Sequence, residues 1–271
     1  MVVLKESNHS KYQIFSQTHP GTVRQHNEDA CLDMPESGVL LVADGMGGHK
    51  AGDVASKMLV DIVKQAISET SSDVLDLSHL HHSLQKANRK IHQYSCCHLK
   101  GETIGTTVVL LFLQGNTYHC LWAGDSRIYL YRHQKLIQLT RDHSQVMDMV
   151  DKGYIIADEA EKHPMANIIT RAVGVSEQVE IDHISGRLNP GDRFLLCSDG
   201  LTKELPVRDI SHCLQANELK DAGLALIHSA LVKGASDNVT VMLVQEQEEL
   251  IINNENIRFN NDDTVPVFNQ K

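Results

Sequence analysis

Four times in this chain an apolar run adjoins an aspartate at a turn. Leu40-Leu41-Val42-Ala43 runs into Asp44-Gly45-Met46-Gly47-Gly48, Leu121-Trp122-Ala123-Gly124 into Asp125, and Phe194-Leu195-Leu196-Cys197-Ser198 into Asp199-Gly200. Ser236-Asp237-Asn238 is the mirror version, just before the run Val239 to Val244. Such runs read as buried strands and the Asp-Gly steps as turns at their ends. Asn27-Glu28-Asp29 lies upstream of them all. Taken singly, each aspartate is an ordinary turn residue. Together they predict strands that deliver their carboxylates to one end of a sheet.

The intervening sequence sets the architecture. Tyr12 to Thr18 suits a first strand, Cys31 to Glu36 reads as a loop, and Gly38 to Ala43 as the central strand. Beyond Gly48, Val54, Met58, Leu59, Ile62, Val63 and Ala66 share one helical face, with His49 and Asp53 near its start. After a loop at Ser71-Ser72-Asp73, Leu77, Leu80, Leu84, Ala87, Ile91 and Tyr94 mark a second helix. The group His79, His81, His82 is read as structural or surface, because His81 and His82 point to different helix faces. Gly105 to Leu113 and Thr117 to Ala123 form a hairpin about Gln114-Gly115-Asn116. With Ile128 to Tyr131 and Leu136 to Leu139 they predict an antiparallel meander. Val146, Met149 and Val150 suggest a helix ending near Gly153, inside an inserted flap at about 142–170. Val179 to Ile184 and Arg193 to Cys197 are strands. Helices follow near Val207 to Cys213 and Leu219 to Val232, the second closed by Gly234, before a last strand, Val239 to Gln245. The fold class is α+β: a β-sandwich with helices packed outside both sheets.

Residues 1–246 read as one domain. The polar, Asn-rich stretch 247–271 reads as a flexible tail, in which Asp262-Asp263-Thr264-Val265 is an acidic threonine site set against plain unstructured composition. Net charge is −10, so no nucleic-acid footprint is expected. No run approaches the ~18 apolar residues of a membrane span. Met1 to Ser10 lacks the apolar core of a signal peptide. Six cysteines in 271 residues make no disulfide framework. They read as reduced thiols of a cytoplasmic protein.

Several carboxylates gathered at one sheet end repel one another unless cations join them. Oxygen ligands without cysteine or a histidine pair favour Mg²⁺ or Mn²⁺ over Zn²⁺. Gly45, with no Cβ to crowd the turn, lets a backbone carbonyl enter the shell. Two such ions can share a bridging water and make hydroxide near neutral pH. Arg24, four residues before Glu28, is placed to fork a phosphate. That constellation hydrolyses phosphate esters with no covalent enzyme intermediate. Rival chemistries lack their motifs: there is no cysteine followed by five residues and an arginine, no G-x-x-x-x-G-K-[ST], no H-E-x-x-H and no G-x-S-x-G.

Arg24, Asn27-Glu28-Asp29, Val42-Ala43-Asp44-Gly45-Met46-Gly47-Gly48, Gly105-Thr106-Thr107, Gly124-Asp125-Ser126-Arg127, Cys197-Ser198-Asp199-Gly200-Leu201 and Ser236-Asp237-Asn238-Val239-Thr240 together resemble the metal-dependent serine/threonine protein phosphatases of type 2C, the bacterial branch above all. The resemblance spans about Tyr12 to Val244. It implies two antiparallel sheets between pairs of α-helices, an αββα sandwich. It implies that Asp44 bridges two Mn²⁺ or Mg²⁺ ions, that Asp29 helps through water, and that Gly45 gives its carbonyl. Asp199 and Asp237 would hold the second ion, and Asp125 with Asp199 a third, weaker one. Glu28 would support this shell, Asn238 and Asp142 would assist, and Arg24 would bind substrate phosphate. The segment from Asp142 to Thr170 resembles the family's flap beside the substrate groove.

Two positions depart from the family. Met46 replaces the histidine that many eukaryotic relatives carry, so the leaving group must take its proton from water at the metals or another donor. Ala166 stands before Asn167 where bacterial flaps commonly carry arginine. The expected activity is hydrolysis of phosphoserine and phosphothreonine on proteins, opposing a bacterial serine/threonine kinase, by a monomer. The alternatives are a catalytically inactive phosphoprotein-binding module of the same fold and a small-molecule phosphate-ester hydrolase.

Overall fold

The computed structural model describes residues 11–47, 51–72, 74–99, 102–160 and 163–246. Gly48, His49, Asp73 and the tail with Thr264 therefore lie outside the described residues. The elements are, in order, β1 (Tyr12–His19), β2 (Asp29–Met34), β3 (Val39–Gly47), α1 (Gly52–Ser68), α2 (Leu77–His98), β4 (Ile104–Thr106), β5 (Val108–Gln114), β6 (Thr117–Ala123), β7 (Arg127–Arg132) and β8 (Lys135–Gln138). Then come α3 (Gln145–Asp151), α4 (Ala157–Ala160), β9 (Asp182–Arg187), β10 (Arg193–Cys197), α5 (Asp199–Thr202), α6 (Val207–Cys213), α7 (Leu219–Lys233) and β11 (Val239–Glu246).

Two antiparallel sheets face each other. One has the order β1-β11-β10-β7-β8, the other β2-β3-β5-β6-β9, with β4 paired to the far end of β3. Three apolar layers result, and the two-residue period of a strand assigns alternate side chains to them. In β3, Val39, Leu41 and Ala43 pack under α1 and α2, while Leu40 and Val42 fill the layer between the sheets. In β10, Leu195 and Cys197 face the late helices, while Phe194 and Leu196 face inward. β11 alternates in the same way. Strands covered on both faces read as unbroken apolar runs, which is why these were visible in sequence. The stripe of α2 matches, with Leu80, Leu84, Ala87 and Ile91 buried. That of α1 is rotated: Leu59 and Val63 lie on its deepest line with Ala55 and Ile67, while Met58 and Ile62 are only partly buried beside it. The α+β sandwich expected from sequence is the fold observed.

Four local expectations are corrected. Cys31 to Glu36 is not a loop. Most of it is β2, an edge strand with a partner on one side only, in which Leu32 is the one deeply buried apolar side chain. The predicted strand Val179 to Ile184 begins later, at Asp182. Val179 and Ile181 are buried in the helix-side core, and the strand itself is a polar edge. The meander is split. β5 and β6 pair in one sheet, β7 and β8 in the other, and the chain crosses at Gly124 to Ser126. Finally, Asp44-Gly45 is no turn. β3 continues to Gly47 because β4 pairs with it, Gly45 opposite Thr106.

Among the described residues no helix is long and apolar enough to cross a membrane. All six cysteines are free.

α7 meets β1 where Gly223 rests on the Phe15 ring. A Cβ on Gly223 would sit 2.1 Å from Phe15 Cδ1. Helix propensity alone would favour Gly223→Ala by about 1 kcal/mol, but overpacking in a closed core costs about 1–3 kcal/mol. Gly223→Ala should therefore lower the urea midpoint, with the slope unchanged. A raised midpoint would show that the ring shifts freely.

Candidate metal centre

The ends of five strands share one rim of the sandwich. β2 starts there at Asp29 and β3 passes through it at Asp44. β7 leaves it just after Asp125, β10 ends just before Asp199, and β11 begins just after Asp237 and Asn238. Asp29 and Asp44 are direct partners in the β2–β3 ladder. Glu28, Asp44, Gly45, Asp125, Asp199, Asp237 and Asn238 line one cleft of about 270 Å³, together with Arg24 and Met46. Asp29 sits behind it, buried.

The residues at the back of the cleft are held by named partners. Asp29 Oδ2 accepts from Ser198 Oγ at 2.8 Å and Thr240 Oγ1 at 2.6 Å. The Asp44 backbone is gripped by Gly105-Thr106-Thr107: its N–H donates to Thr107 Oγ1 at 3.0 Å, and its carbonyl accepts from Thr107 N at 2.8 Å and Thr106 Oγ1 at 2.9 Å. Gly45 must be glycine, since a Cβ would lie 2.1 Å from the Gly52 carbonyl. Asn238 is a staple. Its Oδ1 accepts from Glu28 N at 2.8 Å, and its Nδ2 donates to the Pro20 and His26 carbonyls at 3.0 Å each. It therefore fixes the loop that presents Arg24 and Glu28.

The electrostatics are those of anions crowded out of water. Burial, then the charges of Asp29, Asp199, Asp125 and Asp237, push the Asp44 carboxyl well above its ordinary range. Burial also lifts Asp29 to about 7, against the pull of Thr240 and Ser198. Asp125 reaches about 7 through burial and the nearby Asp199 and Asp142. Glu28 is raised by burial, partly offset by the Gly52 N–H.

Among the described residues no three carboxylate, histidine or cysteine groups close around one point as a finished cage. Protein cations stand between them. Lys203 Nζ lies 2.5 Å from Asp199 Oδ2 and 3.4 Å from Asp237 Oδ2, and Arg24 Nε lies 3.0 Å from Asp237 Oδ1. Lys203 was missed in sequence, although its spacing of four from Asp199 on a helical turn is a recognisable ion-pair signal. Ser198, Thr240 and Thr107 were quoted only as parts of motifs, and their hydroxyl contacts needed three-dimensional neighbours.

Asp142 lies apart from this cleft. Arg127 holds it through Nε at 3.0 Å to both oxygens and Nη2 at 2.7 Å. It lines an adjoining groove of about 440 Å³ with Val146, Met147, His163 and Ala166, and that groove shares Asp125, Asn167, Asp199 and Lys203 with the cleft.

A family model described as protein phosphatase 2C matches residues 18–222. The chain belongs to the protein phosphatase 2C family. Of that family's proteins, it is 36% identical over 236 residues to the serine/threonine phosphatase stp of Listeria monocytogenes, covering 84% of this chain and 93% of that one. Among solved structures it resembles PppA of Pseudomonas aeruginosa, described as a key regulatory component of T6SS, with 41% identity and a TM-score of 0.79 over 88% of this chain and 99% of that one. It also resembles the catalytic domain of the serine/threonine protein phosphatase PstP, solved in complex with two manganese ions, with 33% identity and a TM-score of 0.77 over 86% and 97%.

This chain's residues fit such ions. The donors are hard oxygens, and two deeply buried ones, Asp29 Oδ1 and Asp199 Oδ1, have no hydrogen-bond partner. The raised carboxyls carry a pH signature. Unfolded aspartate ionises near pH ~4, and Asp29 and Asp125 near about 7. Stability contributed by a raised carboxyl is complete below the unfolded value and lost as pH rises through the folded one. EDTA-treated protein should melt at progressively lower temperature from pH 5 to 8, and Mn²⁺ should remove that slope. A melting temperature that climbs with pH in EDTA would contradict the burial described.

Proposed function

We propose that residues 1–246 form a phosphatase catalytic domain that uses Mn²⁺ or Mg²⁺ to hydrolyse phosphoserine and phosphothreonine on proteins. The observation that carries this reading is the ladder pair Asp29–Asp44 at the back of a cleft walled by Glu28, Asp125, Asp199 and Asp237, in a chain of the protein phosphatase 2C family. Asp44 would hold both principal ions, Gly45 would give one of them its carbonyl, and Asp29 would help through water. Asp199 and Asp237 are assigned to the second ion, and Asp125 with Asp199 to a weaker third. Glu28 and Asn238 support the loop. Bound divalent ions supply Lewis acidity toward water and the phosphoryl group.

The protein's own part is placement. Arg24 lines the cleft with its side chain about half exposed, close enough to exchange Asp237 for a phosphate oxygen. Met46 lines the same cleft and has no proton to give, so the leaving alkoxide would take its proton from water or from another donor. Residues 142–170 are assigned as the flap. The groove beside them opens from Asp125 and Asp199 toward Val146, Met147 and Ala166, which suits a peptide chain extending from its phosphorylated residue. Small phosphate esters would have no use for such a groove, and a non-catalytic module would not need the full acidic set. The partners assigned are phosphoproteins and a cognate serine/threonine kinase, met in the cytoplasm by a monomer, with 247–271 as a separate tail.

Purified protein should hydrolyse p-nitrophenyl phosphate and a phosphothreonine peptide with Mn²⁺ and stop in excess EDTA. Asp44→Asn and Asp199→Asn should each remove most activity. Undiminished turnover in EDTA would end the assignment. Arg24→Ala removes charge-assisted hydrogen bonds worth about 1.5–3 kcal/mol, so kcat/KM should fall roughly 10- to 150-fold, while Mn²⁺ affinity becomes no weaker. Steady-state kinetics beside a Mn²⁺ titration separates the two roles.

A further inference from the structure

Lys203 caps the single turn of α5, and its backbone N–H donates to the Asp199 carbonyl at 2.8 Å. That turn brings its side chain back over the rim. Its ammonium stands 2.5 Å from Asp199 Oδ2 and 3.4 Å from Asp237 Oδ2. Burial alone would weaken its hold on the proton, but Asp199 and Asp237 more than reverse this, so the group stays charged. Lys203 borders both the cleft and the adjoining groove, and about a third of its side chain is exposed.

A divalent ion held by Asp199 and Asp237 would bind the same two carboxylates that the ammonium contacts. An ammonium at hydrogen-bond distance from them is a like charge beside that ion, and the two repel. Resting on the reading of this cleft as the metal centre, we propose that Lys203 is a built-in competitor for the Asp199–Asp237 metal position, and that loading this position requires its ammonium to swing out toward the groove. Lysine suits such a part. It is a compact point charge on a flexible stem, and it leaves without breaking a forked, planar contact. In the metal-free protein it neutralises carboxylates that would otherwise repel each other. It thereby stabilises the empty fold while weakening the affinity of this metal position.

The test is calorimetric titration of Mn²⁺ into metal-stripped wild type, Lys203→Met and Lys203→Arg, with melting temperatures taken metal-free and at saturating Mn²⁺. Lys203→Met should bind Mn²⁺ about tenfold tighter or more, since a pair of charges near a protein surface interacts by a few kcal/mol. It should also melt below wild type when metal-free, and the deficit should vanish at saturation. Lys203→Arg, which keeps the charge and can fork to a carboxylate, should bind Mn²⁺ no more tightly than wild type. If Lys203→Met fails to unfold cooperatively, Lys203→Gln carries the same expectation. Equal Mn²⁺ affinity in wild type and the neutral variants overturns the competitor role and leaves the metal centre standing. An arginine variant as tight as Lys203→Met overturns the charge argument. A wild type that takes up no Mn²⁺ overturns the metal centre, and this proposal with it.

Discussion

Two aspartates placed opposite each other in an antiparallel ladder are the constraint on which the rest depends. Like charges in that position destabilise a sheet, and here Asp29 is buried and Asp44 partly so, with three more carboxylates near by. A chain that keeps this arrangement has to supply positive charge. Lys203 and Arg24 supply some of it from within, through contacts to Asp199 and Asp237. The buried oxygens of Asp29 and Asp199 that lack partners mark where more is wanted. The fold accepts electrostatic strain at one rim because the sandwich elsewhere is apolar, with three continuous layers between and outside the sheets.

The rigidity of that rim follows from its anchoring. Ser198 and Thr240, from the end of β10 and from β11, fix one oxygen of Asp29. Thr106 and Thr107 fix the backbone of Asp44. Asn238 binds a loop more than two hundred residues away in sequence. None of these contacts lies at the centre of the cleft, and each restricts the direction in which a carboxylate can point. A site built on strand ends gains this precision because the strands on either side are locked by register.

Much of this was legible in the sequence. Strands buried on both faces announce themselves as apolar runs, and their terminal aspartates stood out against them. The stripe of α2 followed from spacing alone, that of α1 only at Leu59 and Val63. What was hidden depended on partners remote in the chain. β2 is an edge strand with few buried side chains, so its composition looks like loop, and β9, another polar edge, starts three residues later than its apolar run suggests. Asp44-Gly45 has the composition of a turn and becomes strand only because Thr106, some sixty residues later, pairs with it. Asp142 shared its residue type with the cleft aspartates, but Arg127 and Gln138 claim it for a structural ion pair. Lys203 shows in sequence only as an i,i+4 partner of Asp199, a spacing that any solvated helical turn can carry.

The first strand of the sandwich pairs along its whole length with the last, Tyr12 opposite Glu246 through to His19 opposite Val239. During synthesis the N-terminal strand emerges long before its neighbour exists. The sheet that carries Asp199 and Asp237 can close only once nearly the entire domain has left the ribosome. Pairing between such distant segments is entropically slow, so the nascent polypeptide stays without a working centre until its final strand arrives. A truncated product ending short of β11 would lose one strand and leave two open: β1 would have no partner in its sheet and β10 would expose an unpaired edge, of the kind that invites aggregation.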